Sequence, residues 1–149
     1  MNIQNLRKQL EIDEGIKYEI YLDHLGYPTF GIGHLVKTTD PEYGAEVGTP
    51  VSEERVQECF EQDMQLAIYD CNALYGEGTF EEFPSEVQEI LVNMMFNLGR
   101  TRLSKFVKFK EALLNHDWQK AAYEMRNSKW FYQVGDRSFR LYNRMKEVK

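Results

Sequence analysis

Ile12-Asp13-Glu14-Gly15-Ile16-Lys17-Tyr18-Glu19-Ile20-Tyr21-Leu22-Asp23-His24-Leu25-Gly26-Tyr27-Pro28-Thr29-Phe30-Gly31-Ile32-Gly33-His34 is the stretch on which the reading of this chain turns. Upstream of it, Ile3, Leu6 and Leu10 fall on one helical face, and Glu14 continues that face one turn later. Gly15 follows where a helix is commonly stopped by a residue able to take positive φ. Beyond it the period changes. Ile16, Tyr18, Ile20 and Leu22 alternate with Lys17, Glu19, Tyr21 and Asp23, which reads as a half-buried strand with the first set inward. Asp23-His24-Leu25-Gly26 supplies turn residues, and Thr29 to Gly33 alternates again, so a hairpin is expected.

Glu14 then lies in the last turn of the helix, where free carbonyls make a negative end. That end disfavours an ionised carboxylate and favours the protonated form that a general acid needs. Asp23 closes one strand and Thr29 opens its partner, so both are expected to face a space that Glu14 approaches from the helix. Two carboxyls flanking a glycosidic bond are the basic apparatus of glycoside hydrolysis, with Thr29 helping the base to hold a water. Thr29, Gly31 and Gly33 share one face of the expected strand, and bare backbone there often marks close approach of a ligand. Taken singly, a Glu and an Asp nine residues apart are commonly solvated charges, and hairpin glycines are commonly turn chemistry. It is the joint pattern that points to a site.

The rest of the chain bounds the answer. Its 149 residues make one compact unit, or two lobes sharing a helix. No apolar run approaches the roughly 20 residues that span a bilayer, so membrane insertion is not expected. Met1 to Asn5 lacks the apolar core of a secretory signal, so no signal peptide is expected at this N-terminus. Cys59 and Cys71 lie on one expected helix, roughly 18 Å apart at 1.5 Å per residue, too far for a disulfide. They read as small buried residues of a chain made in a reducing cytosol, and no His or Cys stands at ligand spacing, so no metal and no cofactor are expected.

Net charge is −6, unevenly spread: residues 1–99 carry −14 and residues 100–149 carry +8. The basic third offers an electrostatic contact for an anionic cell wall. It lacks a nucleic-acid reader motif, and its charges alternate with core residues at helical spacing, so nucleic acid is not an expected partner. A plain solvated helical surface accounts for it equally well.

Residues 34–51 are irregular and loop-like. Ser52 caps a helix of about twenty residues, carrying Val56, Phe60, Met64, Ala67, Cys71 and Leu74 at three- and four-residue steps. Pro84 and Ser85 open another, near-continuously apolar through Val87, Ile90, Leu91, Met94, Met95 and Leu98, the expected buried centre of a helical lobe. Phe106–Leu114, Trp118–Met125 and Ser138–Met145 read as shorter helices. The expected fold class is α+β, mainly helical with one small antiparallel sheet.

Glu14, Asp23 and Thr29 at their spacing, followed by Gly31-Ile32-Gly33-His34-Leu35, resemble the phage-type lysozymes, the endolysin family of bacteriophage T-four. The similarity resumes at Asn93-Met94-Met95-Phe96-Asn97-Leu98-Gly99 and at Ser128-Lys129-Trp130-Phe131. The resemblance implies a lysozyme-like fold over residues 1–149. In it, residues 15–51 form a small N-terminal β-hairpin lobe, 52–74 a long connecting helix, and 75–149 with 1–14 a larger helical lobe. It implies a peptidoglycan muramidase in which Glu14 protonates the leaving oxygen and Asp23 acts on a water positioned by Thr29, with inversion.

By the same resemblance Leu35, Phe96, Asn97 and Gly33 bind substrate. Phe109 and Glu124 depart from the family's usual serine and asparagine in the cleft. Arg137 is expected near Glu14, Arg140 near Asp13, and His34 paired with Asp63, although a lone histidine could also be catalytic. Trp130 is expected to be buried in the large lobe. The implied partner is bacterial peptidoglycan, acted on by a monomer that accumulates in the host bacterial cytoplasm and is released with help from a holin. Two other outcomes fit the fold: a lytic transglycosylase, and a non-catalytic wall-binding or phage-tail structural protein.

Overall fold

A computed structural model describes residues 1–149. Helices dominate: α1 (Ile3–Glu14), α2 (Glu53–Tyr75), α3 (Glu77–Glu82), α4 (Ser85–Leu98), α5 (Arg100–Leu103), α6 (Val107–Leu114), α7 (Trp118–Arg126), α8 (Lys129–Val134) and α9 (Asp136–Lys146). Strands β1 (Lys17–Leu22), β2 (Pro28–Gly31) and β3 (His34–Leu35) make one antiparallel sheet in that order. The chain is therefore the mainly helical α+β protein that its periodicities predict. It divides into two compact units, Arg7–Gln65 and Met1–Leu6 with Leu66–Lys149. The smaller unit thus takes in more helix than the 15–51 stretch, adding the end of α1 and the first part of α2.

In the smaller unit Leu10, Ile20, Phe30, Ile32, Val56, Phe60 and Met64 form the buried centre. Gly31, with φ +65°, leaves room for α2: a Cβ there would stand 3.1 Å from a Val56 methyl carbon. The expected alternation of β1 fails. Of its four nominally inward residues only Ile20 is buried, while Ile16, Tyr18 and Leu22 are exposed. The ladder is also interrupted by a register shift: Lys17 pairs with Gly31, but Tyr21 pairs with Thr29, so two extra residues bulge out of β1 between these pairs.

The outer edge of the bulge is not left bare. Ile20 N–H donates to Thr49 O at 3.0 Å, Gly48 N–H to Ile20 O at 2.7 Å, and Val51 N–H to Tyr18 O at 2.9 Å. The end of the irregular 34–51 stretch therefore works as a strand-like strap on β1.

In the larger unit α4 is the centre, with Val87, Ile90, Leu91, Val92, Met94, Met95 and Leu98 buried along most of its circumference. It also buries a carboxylate, Glu89. That group accepts from Asn5 Nδ2 at 2.8 Å, Ser85 Oγ at 3.2 Å and Asn2 N–H at 3.3 Å, with Arg144 alongside at 3.5 Å. So many donors hold the charge without a buried unpaired group. Cys59 and Cys71 are free and buried. Burial pushes the Cys59 thiol up to about 11 and the Cys71 thiol higher still.

Candidate active site

Glu14 is the last residue of α1, and Gly15 stops the helix with φ +74° while its N–H caps Glu11 O at 2.9 Å. The Glu14 side chain lies back over Gly33. A Cβ built at Gly33 would stand 2.5 Å from Glu14 Oε2 and 3.0 Å from its carboxyl carbon. Gly33 is not a strand residue sharing a face with Thr29. It sits with Ile32 in the tight turn between β2 and β3, closed by the Phe30–His34 pair, and takes φ +66°. The two glycines therefore do not leave backbone bare for a ligand: Val56 meets Gly31, and the Glu14 carboxyl meets Gly33.

Asp23 directly follows β1, and its turn fixes its carboxyl. Oδ1 accepts from Leu25 N–H at 2.9 Å and Tyr27 N–H at 2.8 Å, while Asp23 N–H donates to Tyr27 O at 2.9 Å. Both donors fall on one oxygen. Thr29 pairs with Tyr21 on one side and Leu35 on the other, so these three side chains share a face of the sheet. Thr29 is buried, and its hydroxyl donates to Tyr27 O at 2.9 Å. Leu35 is half exposed at 51%.

His34 is buried with both ring nitrogens engaged, Nδ1 at 2.7 Å from Asp63 Oδ2 and Nε2 at 2.8 Å from Asp40 Oδ2. Burial alone would lower its pKa. The hydrogen bonds and charges of Asp63 and Asp40 outweigh that, and the net shift is upward. Asp40 is the partner that sequence reasoning missed. Burial pushes its carboxyl up, but the Lys37 N–H, His34 and Arg55 hold it below its ordinary range. Arg55 also binds Glu42 and Glu58, closing a network on the side of His34. With no nitrogen free, His34 is a joint between β3, the following loop and α2.

The remaining expected residues lie in the larger unit. Asn97 Oδ1 accepts from Trp130 Nε1 at 2.8 Å, and Trp130 is buried, so this pair ties α8 to α4. Phe96 is half-buried beside it. Arg137 is buried on α9, with Nε donating to Asn93 Oδ1 at 2.8 Å and Nη2 to Asn93 O at 3.3 Å. Arg140 is exposed on the same helix, while Asp13 is half-buried in α1 of the smaller unit. Phe109 is core, packed edge-on against Phe106 at 6.1 Å. With Glu124, Lys108 and Asn127 it lines a surface cleft of about 350 Å³. No three His, Cys, Asp or Glu side chains cluster as a metal site would need, and no helix is long and apolar enough to cross a membrane.

With this geometry in hand, the chain matches the model of one protein family, described as phage lysozyme, over residues 11–147. It belongs to the phage lysozyme family. Among relatives, it is similar to "Probable T4-type lysozyme 2" of Dictyostelium discoideum, 31% identical over 93% of this chain and 92% of that one. It is also similar to the "Pre-baseplate central spike protein Gp5" of Enterobacteria phage T4, at 30% identity over 92% of this chain but 27% of the relative. The "Peptidoglycan hydrolase gp36" of Pseudomonas phage phiKMV matches at 31% over 97% of this chain and 15% of its own length. In this lysozyme-family chain the matched span carries Glu14, Asp23, Thr29 and the His34 joint together.

Proposed function

We propose that the chain is a muramidase, hydrolysing the β-1,4 bond between N-acetylmuramic acid and N-acetylglucosamine in bacterial peptidoglycan with inversion at the anomeric carbon. The observation that carries this reading is the division of labour on Asp23. Its Oδ1 is committed to two backbone N–H groups, which leaves Oδ2 for a water. The Thr29 hydroxyl gives its proton to Tyr27 O, so toward that water it is an acceptor. A water held by two acceptors donates both its protons and keeps a lone pair for the anomeric carbon. As the carbon–oxygen bond breaks, Glu14 passes its proton to the leaving oxygen and the water passes one to Asp23. Glu14 ends ionised and Asp23 protonated, and exchange with solvent restores both. Leu35, Phe96 and Asn97 are each part of the same proposal as contacts to sugar.

A lytic transglycosylase needs no water-activating base, so the fixed Asp23 favours hydrolysis. A purely structural role, which the name of the spike relative raises, accounts for the turn that Asp23 Oδ1 closes but makes no use of Oδ2. Clearing of outer-membrane-permeabilised bacteria tests the reading, followed by mass spectrometry and anomeric NMR of the digested wall. Glu14→Gln and Asp23→Asn should each lower the rate by about 10²–10⁴-fold without unfolding the protein. Full activity in Glu14→Gln, anhydro sugars in the digest, or a retained anomer would overturn it.

A further inference from the structure

Tyr21 stands inside this site and has no part in the acid–base scheme above. It lies directly across the β1–β2 ladder from Thr29, two residues before Asp23. Its ring is half-buried and carries Lys17 Nζ at 4.3 Å from the centroid, a contact that braces the ring against the strand. Its hydroxyl makes no hydrogen bond within the protein. Burial, then the charge of Glu14, then that of Asp23 raise the phenol above its ordinary pKa. A phenol within the field of both carboxylates thus keeps its proton at neutral pH and is an available donor.

That donor answers a need the other groups leave open. Asp23 and Thr29 present acceptors to whatever binds, and Glu14 has only the one proton that it surrenders to the leaving oxygen. A sugar presents oxygens that must also be satisfied once water is excluded. We propose that Tyr21 is a further catalytic residue, whose hydroxyl donates a hydrogen bond to an oxygen of the sugar on which Glu14 and Asp23 act. The proposal rests on the muramidase reading and adds to it a substrate contact.

Tyr21→Phe removes the hydroxyl and keeps the ring that Lys17 covers. Three variants are compared on permeabilised cells: Glu14→Gln, Tyr21→Phe and Lys17→Met. Alongside, binding of a tetrasaccharide of alternating wall sugars is measured by calorimetry in Glu14→Gln and in Glu14→Gln/Tyr21→Phe. Tyr21→Phe should lower kcat/KM roughly tenfold, and the double variant should bind the tetrasaccharide roughly tenfold more weakly, with an unchanged unfolding midpoint. Lys17→Met, which loosens the ring but keeps the hydroxyl, should cost less than Tyr21→Phe.

If Glu14→Gln is inactive while Tyr21→Phe retains full activity and binding, the Tyr21 contact is wrong and the muramidase reading stands. If Glu14→Gln stays active, the parent reading has failed instead. A Tyr21→Phe protein that loses activity only in proportion to a lowered unfolding midpoint, with tetrasaccharide binding intact, would make Tyr21 structural and would overturn the proposal.

Discussion

Gly33→Ala should separate catalysis from stability in this protein. A Cβ at position 33 would stand 2.5 Å from Glu14 Oε2, whereas ordinary contact begins near 3.4 Å, so the carboxyl oxygen must retreat by about 0.9 Å. The obstacle is the far end of a flexible side chain, so the retreat costs about 1 kcal/mol as an off-rotamer shift. Alanine at φ +66° adds roughly 1 kcal/mol of left-handed strain. Together these lower stability by about 2 kcal/mol, which for a chain of this length moves the thermal midpoint by roughly 4–8 °C and leaves the protein folded at 25 °C. The effect on turnover is far larger, because displacing a reacting group by about 1 Å can cost on the order of a hundredfold.

Gly44→Ala is the matched control, since Gly44 has φ +83° and nothing within 4 Å of a built Cβ. It should show the strain alone, with full activity. Thermal unfolding by circular dichroism and clearing of permeabilised cells give the two readouts. A Gly33→Ala protein that keeps more than half of its activity would refute the idea that Gly33 sets the position of the Glu14 carboxyl.

Two further outcomes follow from the charges. The folded His34 pKa is raised, so its contribution is full below the unfolded value near 6.5 and is lost as pH rises through the folded value. The Asp40 pKa is depressed, so its share is present above the unfolded carboxylate value near 4 and is lost as pH falls. Asp63→Asn should therefore cost about 1–2 kcal/mol near pH 5.5 and clearly less at pH 8, and an NMR titration of His34 at or below its ordinary pKa would contradict this. If the +8 region of residues 100–149 draws the enzyme to an anionic wall, clearing of cells should slow from 0.05 to 0.5 M salt while turnover of a neutral soluble oligosaccharide does not; equal slowing of both would remove that role.

What could be read from the sequence was what neighbouring residues decide among themselves. The end of α1 at Glu14 follows from the Leu6–Leu10 face and Gly15, and the turn at Asp23 follows from an aspartate whose own side chain binds the backbone two and four residues on. The inward set of β1 could not be read, because a two-residue bulge interrupts its ladder and its other edge pairs with residues 48–51, far along the chain. The glycines were legible as special but not for the right reason: what fills the space over Gly31 and Gly33 comes from Val56 and Glu14. Asp40 escaped because an irregular loop has no period to mark which of its acids turns inward. Asn97 was assigned to substrate by resemblance, while the residue that takes its side-chain oxygen, Trp130, lies on another helix. The helical α+β class survived all of these, since it depends on long apolar periodicities and not on single partners.

The two thiols of α2 bear on how this protein withstands a change of redox conditions. Both are buried, both are held protonated, and one helix keeps them apart. A protonated, covered thiol neither attacks a disulfide nor yields readily to peroxide. Reducing and oxidising surroundings alike should therefore leave the covalent structure of the chain unchanged. It needs neither an oxidase to mature it nor a reductase to rescue it, and no sulfur bridge between copies can take it out of circulation.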